Sequence, residues 1–405
     1  MTTSLPSTYI EQMRTLLGQD AERFLLSYDE PRTQGLRINP LKTEIGSVLT
    51  AELRKMFDLE PVPWCSTGFY YGDHRPGRHP YHAAGLYYMQ EPSAMSAVEM
   101  LDPQPGEVVL DLAAAPGGKS SHIAGKMQGQ GLLIANEIHP ARAKILAENI
   151  ERMGVSNAVV TNATPDELAA RFPSFFDRIM LDAPCSGEGM FRKDPNAFQE
   201  WSEDHVVMCA ARQWDILEQA VKMLKPGGTL AYSTCTFNRQ ENELTIERLL
   251  AAFPAFTLVG TERIWPHDHR GEGHFVAVLR AAAGEGGARE PQAAGAAHGR
   301  RKAERAPRGK GQPAAPAAAG MAQFLAWARE ELPGFAPGQG DALLFGEALY
   351  GLPQVGGSSL SAAQLSGLRI PRAGLHHGTI RKNRIEPASA CAGARCEPCV
   401  GAARL

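Results

Sequence analysis

Two cysteines, Cys185 and Cys235, each stand just past a short apolar run in the stretch from Asp177 to Glu243. The first run, Arg178-Ile179-Met180-Leu181, ends in Asp182-Ala183-Pro184-Cys185-Ser186-Gly187-Glu188-Gly189-Met190, where Pro and Gly stop a strand and expose the residues beyond it. The second, Thr229-Leu230-Ala231-Tyr232, comes after the turn Lys225-Pro226-Gly227-Gly228 and leads through Ser233-Thr234 into Cys235. Both thiols are therefore expected to face one cleft. Beyond Cys235, Asn238 and Glu241 have the spacing of a helix start, Asn238 as N-cap and Glu241 reaching back to it. A positive helix end beside a cysteine favours thiolate over thiol, so the pattern predicts nucleophilic chemistry. A single cysteine is more often a small buried apolar residue. Two of them at two strand ends weigh against that reading.

The elements that must position these thiols emerge from the pattern between Pro105 and Arg280. Val108-Val109-Leu110-Asp111-Leu112 reads as a buried strand and Ala113, Ala114, Ala115, Pro116, Gly117, Gly118 and Lys119 as the turn after it. Small side chains there let backbone approach a ligand, and the N–H groups of the next helix can face it. The turn has neither the dinucleotide fingerprint nor a full phosphate loop, which disfavours NAD and ATP. A second strand, Gly131 to Asn136, ends in Glu137, placed to accept from ribose hydroxyls. Loop and acid together predict a nucleoside-bearing cofactor; the alternative for Glu137 is a solvated acid. A helix from Pro140 to Met153, a strand from Asn157 to Thr161, a short helix from Asp166 to Phe172 and a helix from Ser202 to Leu224 complete the alternation. Closing strands fall at Phe256 to Val259 and His274 to Arg280. Strands alternating with helices predict a doubly wound α/β core with its ligands at the carboxyl ends of the strands.

Before this core, residues from about Pro6 to Glu60 read as helical, with Tyr9, Met13, Leu16 and Leu17 on one face. The extended piece Arg37-Ile38-Asn39-Pro40-Leu41-Lys42 offers Arg37 and Lys42 to a phosphate backbone or leaves them as solvated charges. The aromatic connector from Trp64 to Ser93 either stacks unpaired bases or packs against the next domain, with Cys65 as a core residue. A helix is expected from Ala94 to Leu101, started by Pro92 or Ser93. After the core, Ala281 to Gly320 turns to Ala, Gly and Pro with excess Arg and Lys, the composition of a flexible basic linker. A helix to Leu332, β-like pieces at Ala342 to Phe345 and Leu368 to Ile370, and a basic stretch from Arg369 to Arg384 predict a last RNA-binding unit.

The chain has 405 residues, enough for two or three domains, and its 43% hydrophobic and 21% charged content is that of a soluble globular protein. With a formal charge of −3, any nucleic-acid contact must come from local patches. No apolar run approaches the roughly 20 residues that span a bilayer. The opening Met1-Thr2-Thr3-Ser4-Leu5-Pro6 has no secretory pattern, which predicts a cytoplasmic protein with no membrane partner. Seven irregularly spaced cysteines fit free thiols rather than a disulfide framework, and Cys391, Cys396 and Cys399 lack a partner pair for zinc. No metal is expected.

Four stretches resemble the RNA cytosine-5 methyltransferases, and among them the bacterial RsmF-like enzymes of small-subunit ribosomal RNA. They are DLAAAPGGK (111–119), Asn136-Glu137, DAPCSGEGMFRKDP (182–195) and STCTFNRQENE (233–243), and the likeness continues in LRINPLK, PWCSTGFYY, HPYHAAGLYYMQEPSAM and RAGLHHGTIRKNRIEP. The resemblance implies a Rossmann-like class I methyltransferase core and S-adenosylmethionine held by Ala113 to Lys119, with Glu137 on the ribose and Asp182 near the methionine end and the target base. Thr164 stands where many members place an acid beside the adenine, and Asn162 is the candidate substitute. It also implies that Cys235 adds to carbon 6 of cytosine, that Asp182 donates to ring N3, and that Cys185 helps the carbon 5 proton leave. Lys119 is expected as a loop and cofactor contact rather than a base. Rival expectations are the same chemistry on transfer RNA, a methyltransferase acting on nitrogen or oxygen, and a non-catalytic RNA-binding protein on this fold.

The expected organisation is an RNA-binding connector domain at 1–93, the methyltransferase core at 94–280, the basic linker at 281–320, a PUA-like RNA-binding domain at 321–388 and a tail at 389–405. The protein is expected to act as a monomer on RNA, including ribosomal RNA in an assembling small subunit.

Overall fold

The computed structural model describes residues 5–193, 197–284, 317–332, 341–355, 358–360, 362–381 and 384–388. Most of the expected linker and the tail with Cys391, Cys396 and Cys399 lie outside the described residues.

Helices at Ser7–Leu17 and Ala21–Leu26 fulfil the early periodicity, with Tyr9 and Met13 buried. Beyond them the expected all-helical segment is mixed. Strands β1 (Gly35–Ile38), β2 (Glu60–Val62), β3 (Cys65–Tyr70) and β4 (Tyr87–Met89) form an antiparallel sheet in the order β2-β3-β1-β4, with a helix at Val48–Met56. The partners of β1 lie more than thirty residues downstream at Gly68–Tyr70 and some fifty downstream at Tyr87–Met89, so no local window shows the pairing. Leu36 and Ile38 point one way, into a cluster with Leu53, Phe57, Phe69 and Tyr87. The pleat turns Arg37 the other way, into protein.

Arg37 consequently has no access to a phosphate backbone. It is fully buried, and its guanidinium donates to Gln90 Oε1 (3.0 Å), Gly118 O (3.1 Å) and Ser121 Oγ (2.7 Å). Lys42 is not free either, since Nζ donates to Ala84 O and Arg152 O at 2.7 and 2.8 Å. Both cations fasten the leading sheet to the core. Of the connector aromatics, Phe69, Tyr70, Tyr87 and Tyr88 are buried, which supports packing over base stacking for them. Cys65 is core, as expected, with Sγ 3.8 Å from His122 Nε2. A short 3₁₀ turn at Ser93–Met95 precedes the helix Ser96–Leu101.

The core is the expected α/β arrangement. Strands β5 (Val108–Asp111), β6 (Leu132–Asn136), β7 (Ala158–Asn162), β8 (Phe176–Asp182), β9 (Leu224–Thr234), β10 (Phe256–Ile264) and β11 (His274–Ala281) share one sheet. β9, β8, β5, β6 and β7 run parallel; β11 and β10 extend the β9 edge antiparallel. Alternate residues separate onto the two faces. Leu110, Ile134, Ile179 and Leu230 pack with Trp214, Leu217 and Leu249, whereas Val109, Leu133, Met180 and Ala231 pack with Ile123, Leu146 and Ile150. The chain steps outward from β5 to β7 and then returns to place β8 against the other side of β5. The crevice at that reversal is where such sheets bind ligands. Lys225 to Gly228 interrupt the β8–β9 register, Phe176 pairing with Leu224 and Arg178 with Thr229, in keeping with the expected turn.

The last unit contains a helix at Ala318–Glu331 and strands β12 (Ala342–Phe345), β13 (Ala348–Gly351), β14 (Gln354–Val355), β15 (Ser358–Ser359), β16 (Arg369–Ala373), β17 (Leu375–Arg381) and β18 (Arg384–Pro387). β12, β13, β17 and β18 make a sheet of their own, but β16 pairs antiparallel with β7 and becomes the eighth strand of the core sheet. Its Arg372 is buried, paired with Glu151 at 2.9 Å and donating to Ala158 O and Val155 O. This part of the expected RNA-binding stretch is therefore turned inward. Leu343, Leu352, Leu365 and Leu368 continue the core cluster, so the unit is joined to the core through shared sheet and shared apolar packing.

The Arg37 tie gives a stability prediction. Arg37→Met keeps the bulk but removes three donors and leaves buried acceptors on Gln90 and Ser121, so a loss of about 2–3 kcal/mol is expected. Urea unfolding of the full chain, read as a shift of the midpoint, checks it.

Candidate active site

Cys185 and Cys235 meet as the sequence predicts. Their sulfurs lie 3.4 Å apart without a disulfide, each on the loop that leaves one of two adjacent parallel strands, β8 and β9. The expected capping box at Asn238 and Glu241 is not formed. The helix starts at Glu243, and Asn238 Oδ1 accepts from Gln240 N in a local turn instead. The helix that starts at Glu243 therefore lies eight residues beyond Cys235, and the thiols are governed by each other and by their loops.

Those loops are held by two exchanged carboxylates. Glu241, on the Cys235 side, accepts from Ser186 N at 2.9 Å and from Ser186 Oγ at 2.5 Å, and Gln213 Nε2 donates to it at 2.9 Å. Glu188, on the Cys185 side, accepts from Phe237 N at 2.9 Å and from Trp201 Nε1 at 3.1 Å. Each loop thus carries an acid that satisfies a backbone N–H of the other. A direct backbone bond, Gly189 N to Cys235 O at 2.8 Å, brings the two chains so close that a Cβ on Gly189 would sit 2.9 Å from that oxygen. The leading helices cover the outer side. Phe24 meets Phe237 edge-on at 5.0 Å, Tyr9 meets Phe191 at 5.2 Å, and Phe237 stacks on Trp265 at 4.9 Å.

The hydrogen bond to Cys235, burial, and the nearby Cys235 and Glu241 charges push the Cys185 thiol well above its ordinary range. Cys185 therefore keeps its proton and can offer it to Cys235. Bonding Cys235 to carbon would remove the first of those causes, so the Cys185 thiolate, the form able to accept a proton, is easier to reach after that step than before it.

Asp182, at the end of β8, is a third exposed to the cleft. Lys119 Nζ lies 2.8 Å from Oδ2, and Ser233 Oγ donates to Oδ1 at 2.8 Å. Burial opposes the charge, but the Lys119 ammonium, His274 and the hydrogen bonds from Lys119 and Ser233 together outweigh it and hold the carboxyl below its usual range. Lys119 Nζ is thus ion-paired with Asp182 at the end of β8. His274 was not anticipated. It opens β11, is only 3% exposed, and its Nε2 lies 3.8 Å from Asp182 Oδ1 with no hydrogen-bond partner. Burial, helped by Lys119, pushes it down to about 3, so it is neutral. The sequence signal was a histidine opening an otherwise apolar strand.

The Gly-rich turn lies at the carboxyl end of β5. Ala114 N donates to Asn136 O, Arg142 Nη2 to Ala115 O and Asn149 Nδ2 to Pro116 O, each at 2.8 Å, so the helix Pro140–Arg152 supports Ala113 to Gly118 from below. Gly117 has φ +114°, and a Cβ there would meet Leu146 Cδ1 at 3.2 Å; only glycine suits this place. Asn136 ties three strand ends together, donating to Leu112 O and Ala163 O and accepting from Thr161 Oγ1. Glu137 is buried at the end of β6 with Oε1 on His139 N and Oε2 3.5 Å from Arg142. Asn162 donates its amide to Glu137 O and Ile138 O, which leaves Oδ1 as its remaining acceptor. Asp111, beneath the turn, is pushed up to about 7 by burial, and its Oδ1 is buried with no partner. A glycine cradle, two acids at adjacent strand ends and an orphan carboxyl oxygen fit a cofactor with ribose hydroxyls and an amino-acid end.

The brace has a pH signature. Burial and the neighbouring Glu241 push Glu188 up from 4.5 to about 7. Between those values the folded protein keeps a proton that the unfolded chain releases. The contribution to stability is therefore full below pH 4.5, declines through the interval and is gone above about pH 7. Glu188→Gln cannot titrate, so urea midpoints measured across that interval should fall less steeply with pH than those of the wild type.

Sequence models of three related units match the chain: the 16S rRNA methyltransferase RsmB/F over residues 98–280, the N-terminal domain of 16S rRNA methyltransferase RsmF over 5–92, and the RsmF rRNA methyltransferase first C-terminal domain over 326–394. Ribosomal RNA small subunit methyltransferase F of Vibrio vulnificus is 38% identical over 301 residues, 68% of this chain and 64% of that protein. The protein of the same name from Pectobacterium atrosepticum is 38% identical over 304 residues, 68% and 63% of the two chains. This chain thus spans just under two thirds of the length of these relatives. Among solved structures, a methyltransferase homolog protein from Pyrococcus horikoshii is 29% identical with a TM-score of 0.62, covering 69% of this chain and 96% of that one. NSun6 from the same organism shares the fold, with 22% identity, a TM-score of 0.61 and coverage of 68% and 98%. With leading, core and trailing units all matched in order, the chain belongs to the RsmB/RsmF family of 16S rRNA methyltransferases.

Proposed function

We propose that this protein transfers a methyl group from S-adenosylmethionine to carbon 5 of a cytosine in RNA, with 16S ribosomal RNA as its substrate and Cys235 as a covalent nucleophile. The observation that carries the proposal is the pair of sulfurs 3.4 Å apart, just past the strand ends where Asp182 and Ser233 pair. Methylation of a ring nitrogen or of oxygen needs no thiol, whereas carbon 5 of cytosine is a poor nucleophile until something adds at carbon 6.

Ala113 to Lys119 and Glu137 hold the cofactor, which supplies an electrophilic methyl group on a sulfonium. Asn162 offers an acceptor at the adenine end. The Cys235 thiolate adds to carbon 6, and the displaced ring electrons develop as charge toward N3. Lys119 and Asp182 stabilise that charge, Lys119 through its proton and Asp182 by holding the ammonium against the ring edge. Asp182 is a carboxylate here, so Lys119, paired with it, lends N3 a proton on addition and takes it back when Cys235 leaves. Carbon 5, now enamine-like, would take the methyl group as the sulfonium's S–CH3 bond breaks, its electron pair leaving with S-adenosylhomocysteine. With Cys235 bonded to carbon, Cys185 gives its thiol proton to solvent and then, as thiolate, takes the carbon 5 proton. The electron pair of that C–H bond restores the C5–C6 double bond and expels Cys235 as thiolate. A base stacked in a helix cannot receive sulfur above its plane, so the substrate is single-stranded or flipped.

Two substitutions test the assignment with radiolabelled methyl transfer to RNA and denaturing gels. Cys235→Ala should lose at least about a thousandfold in rate and form no adduct, the scale of removing a nucleophile from a cooperating site. Cys185→Ala should add and methylate but not release, leaving a protein–RNA band that requires Cys235. Free turnover by Cys185→Ala, with no trapped RNA, would remove the release role.

A further inference from the structure

Beside Glu137 lies a cavity of about 280 Å³, and two separate parts of the chain line it. Ile138, Asn162, Thr164 and Glu167 come from the core, at the carboxyl ends of β6 and β7 and the helix Pro165–Ala169. Leu368 and Arg369 come from the carboxyl-terminal unit, where β16 begins. The volume is at the low end for ligand sites, suited to one part of a cofactor rather than the whole. We infer that this cavity takes the adenine of the cofactor and that Leu368 and Arg369 form its outer wall, so that the carboxyl-terminal unit completes the cofactor site.

The inference rests on the cofactor reading above and adds the wall to it. Glu137 is the ribose acceptor of that reading, and Ile138 is its immediate neighbour, so a base attached to the ribose enters this cavity and no other lined by β6 and β7 among the described cavities. Arg369 pairs directly opposite Asn162 in the antiparallel ladder, an arrangement that sets the two side chains on one face. Leu368 is buried in the core cluster, and Arg372 is tied to Glu151, Ala158 O and Val155 O, so the wall is fixed at both ends. Arg369 itself is exposed and free to lie over a planar base. The core also supplies an acid: Glu167, closing a capping box with Thr164, lines the cavity one helical turn beyond the position where the sequence lacks one.

The test uses the full chain with S-adenosylhomocysteine and 5′-methylthioadenosine, which carries adenine and ribose without the amino acid. Arg369→Ala should bind both ligands about fivefold more weakly by calorimetry, the scale of a cation over an aromatic face at an exposed site, with an unchanged urea midpoint. In the wild type, S-adenosylhomocysteine should slow amide exchange in residues 367–373. Unchanged affinity in Arg369→Ala, unchanged exchange in that segment, or a loss confined to S-adenosylhomocysteine would overturn the wall. A wild-type protein that binds neither ligand would instead remove the cofactor reading, and the wall with it.

Discussion

Two thiols can share a task only if they are kept within contact distance and kept from oxidising or drifting apart, and here two exchanged carboxylates impose that constraint. Glu188 reaches from the Cys185 loop to Phe237 N, and Glu241 reaches from the Cys235 loop to Ser186 N. Adjacent parallel strands bring the loops side by side but do not fix their spacing, because each loop leaves its strand with unpaired backbone groups. The exchange satisfies those groups across the gap, and burial of both acids excludes the water that would otherwise compete. Gly189 then permits the closest approach, where a side chain would collide with Cys235 O.

The rest of the molecule supports this arrangement from three directions. The leading helices place Tyr9 and Phe24 against Phe191 and Phe237, one aromatic beyond each cysteine loop. The leading sheet sends Arg37 into Gly118 O and Ser121, which fixes the start of the helix carrying Lys119 and hence the partner of Asp182. The carboxyl-terminal unit adds β16 to the far edge of the sheet, next to β7 and the strand ends that hold Glu137 and Asn162. The Gly-rich turn and Glu137, Asp182 and the two thiols therefore lie along one row of strand ends, each steadied by a different part of the chain.

Electrostatics divides the labour among groups of the same type. Lys119 keeps Asp182 charged, whereas burial pushes Asp111 and Glu188 up to about 7. Of two neighbouring cysteines, the one carrying the burden of the other's charge keeps its proton. A neutral His274 beside Asp182 adds no positive charge of its own, and Lys119 is the carboxylate's ion-pair partner.

The alternation of apolar runs with helices, the turn from Ala113 to Lys119 and the two cysteines at strand ends were legible in the sequence because each is a local pattern. Strand period, glycine-rich turn and helix face are all written within a dozen residues, and the parallel topology follows from their order. The misassigned residues were those whose partners lie far along the chain. Arg37 looked like a surface cation because its acceptors lie at Gln90, Gly118 and Ser121. Glu241 had the spacing of a helix cap, yet its bonds run to Ser186 and Gln213, where burial made a long-range acceptor worth more than a local one. Arg372 stood in a basic stretch and turned inward onto Glu151, and His274 looked like one more residue of an apolar strand. The sequence by itself determined the α/β core and the placing of the Gly-rich turn and the two cysteines at its strand ends. Only the tertiary structure decided which charged side chains brace that core and which are left to act, because burial and pairing are set by residues that no local window contains.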